Sequence, residues 1–125
     1  FCYENQLTSL DVSDNTALTQ LKCYKNQLTT LDVSNNTALY DLDCGWNQLI
    51  TLDVSNNTAL VALDCNNTQL TTLDITNNTA LYWLYIIYIP TLYKVCVWEM
   101  PFPPTGVAIN MEGSPNVYFT TDCSK

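Results

Sequence analysis

The sequence predicts a right-handed parallel β-solenoid with little α-helix, closed at its C-terminal end by a β-hairpin cap. One 21-residue pattern starts at Cys2, Cys23, Cys44 and Cys65, and ten of its 21 positions are identical in all four copies. Four of these positions are leucine, and so short a unit buries its leucines only by stacking on its neighbours. Because the pattern stops near residue 89, we expect about four coils over 1–89 and a capping segment over 90–125.

Each unit is expected to contribute one short strand and one irregular return segment. Around Leu21 and Cys23, inward and outward positions alternate, so equivalent strands of successive coils should pair in parallel about 4.8 Å apart and form a concave sheet. The return segment 31–39 combines inward Leu, Val and Ala with a Ser/Asn cluster typical of turns. No ten-residue amphipathic helix fits there, so we predict extended chain and short 3₁₀ turns.

The motif resembles a known repeat. Written from Leu18, one unit reads Leu18-x-x-Leu21-x-Cys23-x-x-Asn26-x-Leu28. This resembles the leucine-rich repeat, with cysteine at the third leucine position. The units are also similar to the 21-residue repeats of secreted and cell-surface Bacteroidetes proteins, which are internalin-like in architecture. The resemblance covers residues 1 to about 89 and implies a leucine-rich repeat solenoid that is secreted or held on a bacterial cell surface.

Composition excludes several functional classes. Twelve acidic and four basic residues give a net charge of −8, which leaves nothing to neutralise nucleic acid or an anionic membrane. The chain has no histidine, the commonest general base and metal ligand. Its longest apolar run, 84–89, is too short for membrane insertion. We therefore expect no enzyme activity, no catalytic residue, no cofactor and no metal. Since no leader precedes Phe1, a signal peptide is expected to have been removed or left out.

Three polar or cysteine columns recur at fixed positions, and each has a structural explanation. The first is an asparagine ladder that should satisfy backbone groups of adjacent coils and weaken where threonine replaces asparagine. The second is a cysteine column that should be unbridged core, because its side chains run parallel and do not converge on a metal. The third is an aspartate column that should accept turn hydrogen bonds without calcium. The members are Asn5, Asn26, Asn47 and Thr68; Cys2, Cys23, Cys44 and Cys65; and Asp11, Asp32, Asp53 and Asp74.

The C-terminal segment breaks the period. The Leu92-x-x-Val95-x-Val97 pattern follows the last repeat strand after only 11 residues, which predicts one short closing coil. The segments 107–110 and 116–120 flank a Gly-Ser-Pro turn and predict a hairpin. Cys96 and Cys123 lie outside the repeat, and in an extracellular chain two such cysteines are expected to form a disulfide.

The positions that vary between copies lie on either side of the strand leucines and should face the concave surface. Aromatic rings stack on sugar rings, and the carboxylates between them accept hydrogen bonds from sugar hydroxyls. The same residue types also dominate protein hot spots, so the partner is expected to be either a glycan or a protein. An alternative is that the C-terminal cap covers the aromatic residues of the fourth repeat, which are Tyr82, Trp83, Tyr85 and Tyr88. Asp43 and Asp64 form a carboxylate pair in adjacent coils, but an open face offers no cleft to shift a pKa, so we do not expect a hydrolase. The binding candidates are Tyr24, Tyr40, Asp43, Trp46, Asp64, Tyr82, Trp83 and Tyr85.

The sequence thus predicts an extracellular, non-catalytic binding or adhesion module. The first coil has no polar cap, and this has two explanations. The chain is a fragment of a longer array, or it is a structural subunit whose copies stack end to end into filaments, which is the alternative function. Regular threonine rows leave ice binding as a third class. The candidate assembly residues are Cys2, Leu7, Leu10 and Val12.

Overall fold

The computed structural model describes residues 1–124, which form eight three-residue strands joined by turns and contain no helix. Each strand has an inward central residue flanked by two residues that are at least partly exposed, the alternation expected of a half-buried strand, except that all three residues of Lys94–Cys96 are buried. The strands are β1 Gln20–Lys22, β2 Asp41–Asp43, β3 Ala62–Asp64, β4 Thr72–Asp74, β5 Trp83–Tyr85, β6 Lys94–Cys96, β7 Ala108–Asn110 and β8 Tyr118–Thr120.

The strands form two parallel sheets. The first sheet has the order β1-β2-β3-β5-β7, and the second has the order β4-β6-β8. In the first sheet Leu21 pairs with Leu42, Leu42 with Leu63 and Leu63 with Leu84, an offset of 21 residues each time. Because the offset never slips in the repeats, equivalent residues of successive coils lie side by side. The predicted parallel β-solenoid is confirmed.

The core runs along the axis, between the first sheet and the side formed by the return segments and the second sheet. Its columns are the central strand leucines, the cysteines that follow them, and the leucine and valine residues of the return segments. In the second coil, the Asn36 N–H donates to the Val33 carbonyl (3.0 Å) and the Leu39 N–H donates to the Asn36 carbonyl (3.1 Å). Isolated hydrogen bonds that span three residues form β-turns, so the return segments are extended chain with turns as predicted, whereas no 3₁₀ turn forms within residues 1–124.

The predicted C-terminal hairpin is wrong. Strand β7 pairs in parallel with β5 in the first sheet, whereas β8 pairs in parallel with β6 in the second sheet. The two segments lie in different sheets because Ile109 continues the leucine column of the first sheet, beside Leu84, and Phe119 continues that of the second, beside Val95. The cap therefore extends both sheets of the solenoid.

The predicted short closing coil is also wrong. The segment around Val95 contains β6, which belongs to the second sheet and pairs with β4. The next strand of the first sheet is β7, whose Ala108 pairs with Trp83, so this coil is longer than the others. It holds an aromatic cluster in which the Phe102 ring lies 5.2 Å from Trp98 and 5.1 Å from Phe119. The boundary at residue 89 stays a prediction, and Lys125 lies outside the described residues.

The cysteines behave as expected. Cys96 and Cys123 form a disulfide with their Cα atoms 5.7 Å apart, which joins β6 to the chain after β8. Cys2, Cys23, Cys44 and Cys65 are free, and the last three are buried. Burial raises the pKa of the Cys23 thiol to about 12 and the pKa of the Cys44 and Cys65 thiols well above their usual range. These thiols stay protonated at neutral pH and act as small apolar core groups.

The asparagine ladder has the predicted structural role. The Asn26 Nδ2 donates to the carbonyls of Cys2 (2.9 Å) and Cys23 (3.0 Å), and its Oδ1 accepts from the Leu7 N–H (3.0 Å). Asn47 repeats these bonds one coil further along. Each amide therefore satisfies backbone groups of its own coil and of the preceding one.

The ladder weakens and then resumes. The Thr68 hydroxyl donates to Cys65 of its own coil (2.8 Å), and the apolar Ile89 occupies the next position of the column. In the last coil the buried Ser114 hydroxyl donates to the Ile86 carbonyl and accepts from the Ile89 N–H (2.9 Å). The weakening was predicted, whereas the part played by Ser114 was not.

A second asparagine column stabilises the return segments. Asn36, Asn57 and Asn78 are fully buried, and the Asn57 Nδ2 donates to the carbonyls of Val33 (3.0 Å) and Asn36 (2.9 Å). Sequence reasoning had assigned these residues only to turns.

The aspartate column forms the predicted turns. The Asp32 Oδ1 accepts from the Ser34 N–H at 2.9 Å, and Asp11, Asp53 and Asp74 accept in the same way. Hydrogen bonds from Ser34 lower the pKa of Asp32, because they stabilise its charged form.

Candidate binding surface

The outer face of the first sheet carries two rows of side chains in register. Outward residues of successive strands lie side by side, about 4.8 Å apart from strand to strand. One row consists of Gln20, Asp41, Ala62, Trp83 and Ala108, and the other consists of Lys22, Asp43, Asp64, Tyr85 and Asn110.

A hollow of about 300 Å³ opens between these rows. Ala62, a small residue, lies between Asp41 and Trp83 and leaves room above the strand. The hollow brings together four of the eight predicted binding residues. Its lining consists of Lys22, Asp41, Asp43, Ala62, Leu63, Asp64, Trp83 and Tyr85.

The lining of the hollow contains three carboxylates, those of Asp41, Asp43 and Asp64, but only one ammonium group, that of Lys22. The Lys22 Nζ lies 2.6 Å from the Asp41 Oδ1. Asp64 accepts a hydrogen bond from the Asn66 N–H at 2.9 Å, yet partial burial raises its pKa to about 6. Burial also raises the pKa of Asp43, because both carboxylates lose contact with water. The expectation that this face has no cleft able to shift a pKa is therefore wrong.

The other four predicted residues lie outside the lining of the hollow. Tyr40 and Tyr82 immediately precede β2 and β5 and are 41% and 48% exposed. Tyr24 is half-buried because its ring stacks on Tyr3, with the ring centroids 4.7 Å apart. Trp46 lies in the turn after β2 and is 55% exposed. Tyr40 contacts Gln20 and Tyr82 contacts Trp83, so both extend the outer face of the first sheet beyond the hollow.

The cap does not cover the aromatic residues of β5. Trp83 is 43% exposed, and its ring contacts Tyr82 edge-on, with the centroids 4.5 Å apart. Tyr85 is half-buried. The alternative of a covered aromatic patch is thus wrong for Tyr82 and Trp83.

The turn after each strand of the first sheet has one residue in the left-handed region. Trp46 has a φ of 52°, and Lys25, Asn67 and Tyr88 at the same position of other coils have φ between 53° and 55°. In the last coil Gly113 takes this place with a φ of 72°, and the Tyr88 ring packs directly against it. A bulky residue is unfavourable there, so the solenoid holds Trp46 in a strained and exposed position.

Sequence reasoning missed part of the hollow. Lys22, Asp41 and Ala62 were recognised as variable positions but not as site residues. Writing the four strands in register shows alanine between aspartate and tryptophan, and this signal could have located the hollow.

The four candidate assembly residues differ in accessibility. Cys2, Leu7 and Leu10 are partly buried and pack against the core, whereas Val12 is only 7% exposed. Val12 is therefore a core residue, and its assignment to an assembly surface is wrong. Assembly through the other three stays a prediction.

Two further observations concern the whole described chain. Within residues 1–124 no helix is long and apolar enough to cross a membrane. Over the same residues no three side chains of His, Cys, Asp or Glu gather as a metal site.

Inward leucines on parallel strands, with a cysteine column and an asparagine ladder after them, define a leucine-rich repeat solenoid. The fold matches the solved functional domain of InlJ from Listeria monocytogenes, which includes a cysteine ladder, with a TM-score of 0.81 and 33% sequence identity. The match covers 90% of this chain and 24% of that one. A different repeat family, the LVIVD repeat, matches residues 44–68. No curated protein sequence matches the chain.

These comparisons support an internalin-like repeat protein with the cysteine ladder at Cys2, Cys23, Cys44 and Cys65. The chain spans about a quarter of the InlJ domain that it matches. The Bacteroidetes type stays an expectation from the sequence resemblance.

Proposed function

We propose that this chain is an extracellular, non-catalytic recognition module that binds a protein or glycan partner on the outer face of the first sheet. The observation that carries the proposal is the group of exposed aromatic residues on that face. Tyr40, Trp46, Tyr82 and Trp83 are 41% to 55% exposed on a regular, closely packed scaffold. Exposed aromatic groups beside polar ones are typical of binding surfaces.

The likeness to an internalin-like surface domain supports a location outside the cell. The disulfide supports the same location, because disulfides persist in oxidising compartments. A non-catalytic role is supported by the absence of histidine, the commonest general base, from the sequence.

Binding of the purified chain to a glycan array and to a library of displayed extracellular proteins tests this function. Replacing Tyr40 and Trp46 by alanine should weaken binding of the partner at least about tenfold, because exposed aromatic residues dominate such interfaces. The matched control is the replacement of Tyr93 and Tyr118, which are equally exposed at 49% and 51% but lie at the second sheet.

The proposal fails if the second-sheet variant loses binding while the first-sheet variant keeps it. Light scattering and electron microscopy of the same sample test the alternative. Filaments that dissolve in Leu7→Asp would favour end-to-end assembly over partner binding.

A further inference from the structure

Two carboxylates of the hollow, those of Asp43 and Asp64, form no ion pair with a described residue, although the charge of Lys22, the register partner of Asp43, opposes the rise in the pKa of both. The ion pair of this face joins Lys22 to Asp41, and the other ion pair described, between Lys25 and Glu4, lies outside the hollow. Within residues 1–124 no ion pair involves Asp43 or Asp64. The hollow therefore carries an excess of negative charge, on a chain whose net charge is already −8.

Asp43 and Asp64 are held close together. They are register partners on adjacent parallel strands, and both are partly buried. Backbone hydrogen bonds from Gly45 (3.2 Å) and Asn66 (2.9 Å) fix one oxygen of each carboxylate. Two like charges that have lost part of their hydration gain most from a cation placed between them.

Two aromatic residues, Trp83 and Tyr85, line the hollow together with these carboxylates. Trp83 is 43% exposed, and its contact with Tyr82 limits how its ring can turn. Tyr85 follows Asp64 in the same row of the sheet. An indole ring attracts organic cations more strongly than other aromatic rings do, and it also covers the methylene stem of a long basic side chain. Sugar hydroxyls would also donate hydrogen bonds to these carboxylates, but only a cation offsets their two negative charges.

We propose that this hollow receives a lysine or arginine side chain of a protein partner. The cationic head contacts Asp43 and Asp64, and the apolar stem lies along Trp83 above Ala62. The inference rests on the proposed function and adds to it the chemistry that the partner presents. Charge complementarity selects a basic protein segment over a neutral glycan.

Titration followed by NMR tests the proposal with two small probes. Nα-acetyl-arginine amide carries the cation, and Nα-acetyl-citrulline amide is a neutral compound of nearly the same shape. The arginine probe should shift the Trp83 indole signal and the carboxyl carbons of Asp43 and Asp64 in a saturable way. The citrulline probe should bind at least about tenfold more weakly, because it lacks the charge.

The double variant D43N/D64N should lose the response to the arginine probe. The matched control is D32N/D53N, which removes two carboxylates from the aspartate column outside the hollow and should bind as the wild type does. If D43N/D64N does not fold, Trp83→Ala is titrated instead and should weaken the response severalfold.

Equal binding of the two probes, or an unchanged response of D43N/D64N, would overturn the proposal. So would a response of the hollow to maltose that exceeds the response to the arginine probe, which would make the hollow a glycan site. In either case partner binding that still depends on Tyr40 and Trp46 leaves the proposed function standing. If partner binding does not depend on Tyr40 and Trp46 but the arginine probe still shifts the signals of the hollow, the proposed function is contradicted and the cation site is not.

Discussion

At the scale of single residues, backbone conformation and solvation decide how side chains are used. Trp46 has a φ of 52°, where glycine is favoured and a large residue is unfavourable. Its side chain is more than half exposed, so packing does not compensate for this conformation. The same conformation recurs at Lys25, Asn67 and Tyr88, so the turn of the repeat imposes it on whichever side chain stands there.

The strain at Trp46 predicts an unusual ranking of two variants. Trp46→Gly should be more stable than Trp46→Ala by about 1 kcal/mol, because only glycine adopts a positive φ without a Cβ penalty. Urea denaturation of both variants measures the difference. At Gln48, which has no positive φ, the glycine variant should instead be the less stable of the pair. Equal stability of W46G and W46A would contradict the assigned backbone conformation.

Asp64 predicts a pH dependence. Its pKa is raised from an ordinary 3.8 to about 6, so the folded state binds the proton more tightly than the unfolded state does. The stabilisation from this group is fully present below about pH 3.8 and is lost as the pH rises through 6. Asp64→Asn should therefore unfold at a higher temperature than the wild type at pH 7, and the difference should shrink toward pH 4.

Asp53 provides a control for the thermal unfolding experiment, because its pKa is shifted in the opposite direction to that of Asp64. Hydrogen bonds from Ser55 lower the pKa of Asp53, so its charged form stabilises the folded state above the ordinary pKa and this stabilisation is lost in acid. Asp53→Asn should lower the unfolding temperature at pH 7 and have a smaller effect near pH 3. Two variants that shift in the same direction at pH 7 would contradict the environments assigned to these aspartates.

At the scale of elements, the turns after the strands depend on buried amides. Asn47 satisfies the carbonyls of Cys23 and Cys44 and the N–H of Leu28. In contrast, the exposed Asn5 bonds only to carbonyls two and three residues before it. The same residue type therefore has very different structural importance in two coils.

The asparagine ladder yields a paired prediction. Asn47→Ala should lower the free energy of unfolding by about 2 to 4 kcal/mol, because it leaves buried backbone groups without partners. Asn5→Ala should cost less than about 1 kcal/mol, since water replaces its bonds. Chemical denaturation of both variants provides the measurement. Similar losses of unfolding free energy in the two variants would contradict a stabilising role for the hydrogen bonds that Asn47 makes between coils.

At the scale of the whole molecule, the disulfide stabilises the terminal coil. It encloses β7 and β8, the last strands of the two sheets, within a loop of 27 residues. Each of these strands pairs with only one neighbouring strand in the structure. The covalent link between Cys96 and Cys123 thus restrains the last coil, whose strands are paired on one side only.

Replacing Cys96 and Cys123 by alanine should cost about 3.5 kcal/mol, from the chain entropy of the unlinked loop. Hydrogen exchange should accelerate first in β7 and β8, because solenoid coils are stabilised mainly by their neighbours. A reducing agent should have the same effect on the wild type and none on the double variant. Uniform acceleration along all coils would contradict local stabilisation.

The sequence by itself determined the solenoid, its core columns, the first asparagine ladder, the aspartate turns and the disulfide. A constant 21-residue offset specifies which residues lie side by side, so the first four of these features follow from the repeat, whereas the disulfide follows from two cysteines outside it. The tertiary structure alone decided the path of the cap, because segments 107–110 and 116–120 have no repeat offset to assign them to a sheet. It also decided the hollow and the raised pKa of Asp64, since both depend on how a small residue and its large neighbours exclude water across three strands.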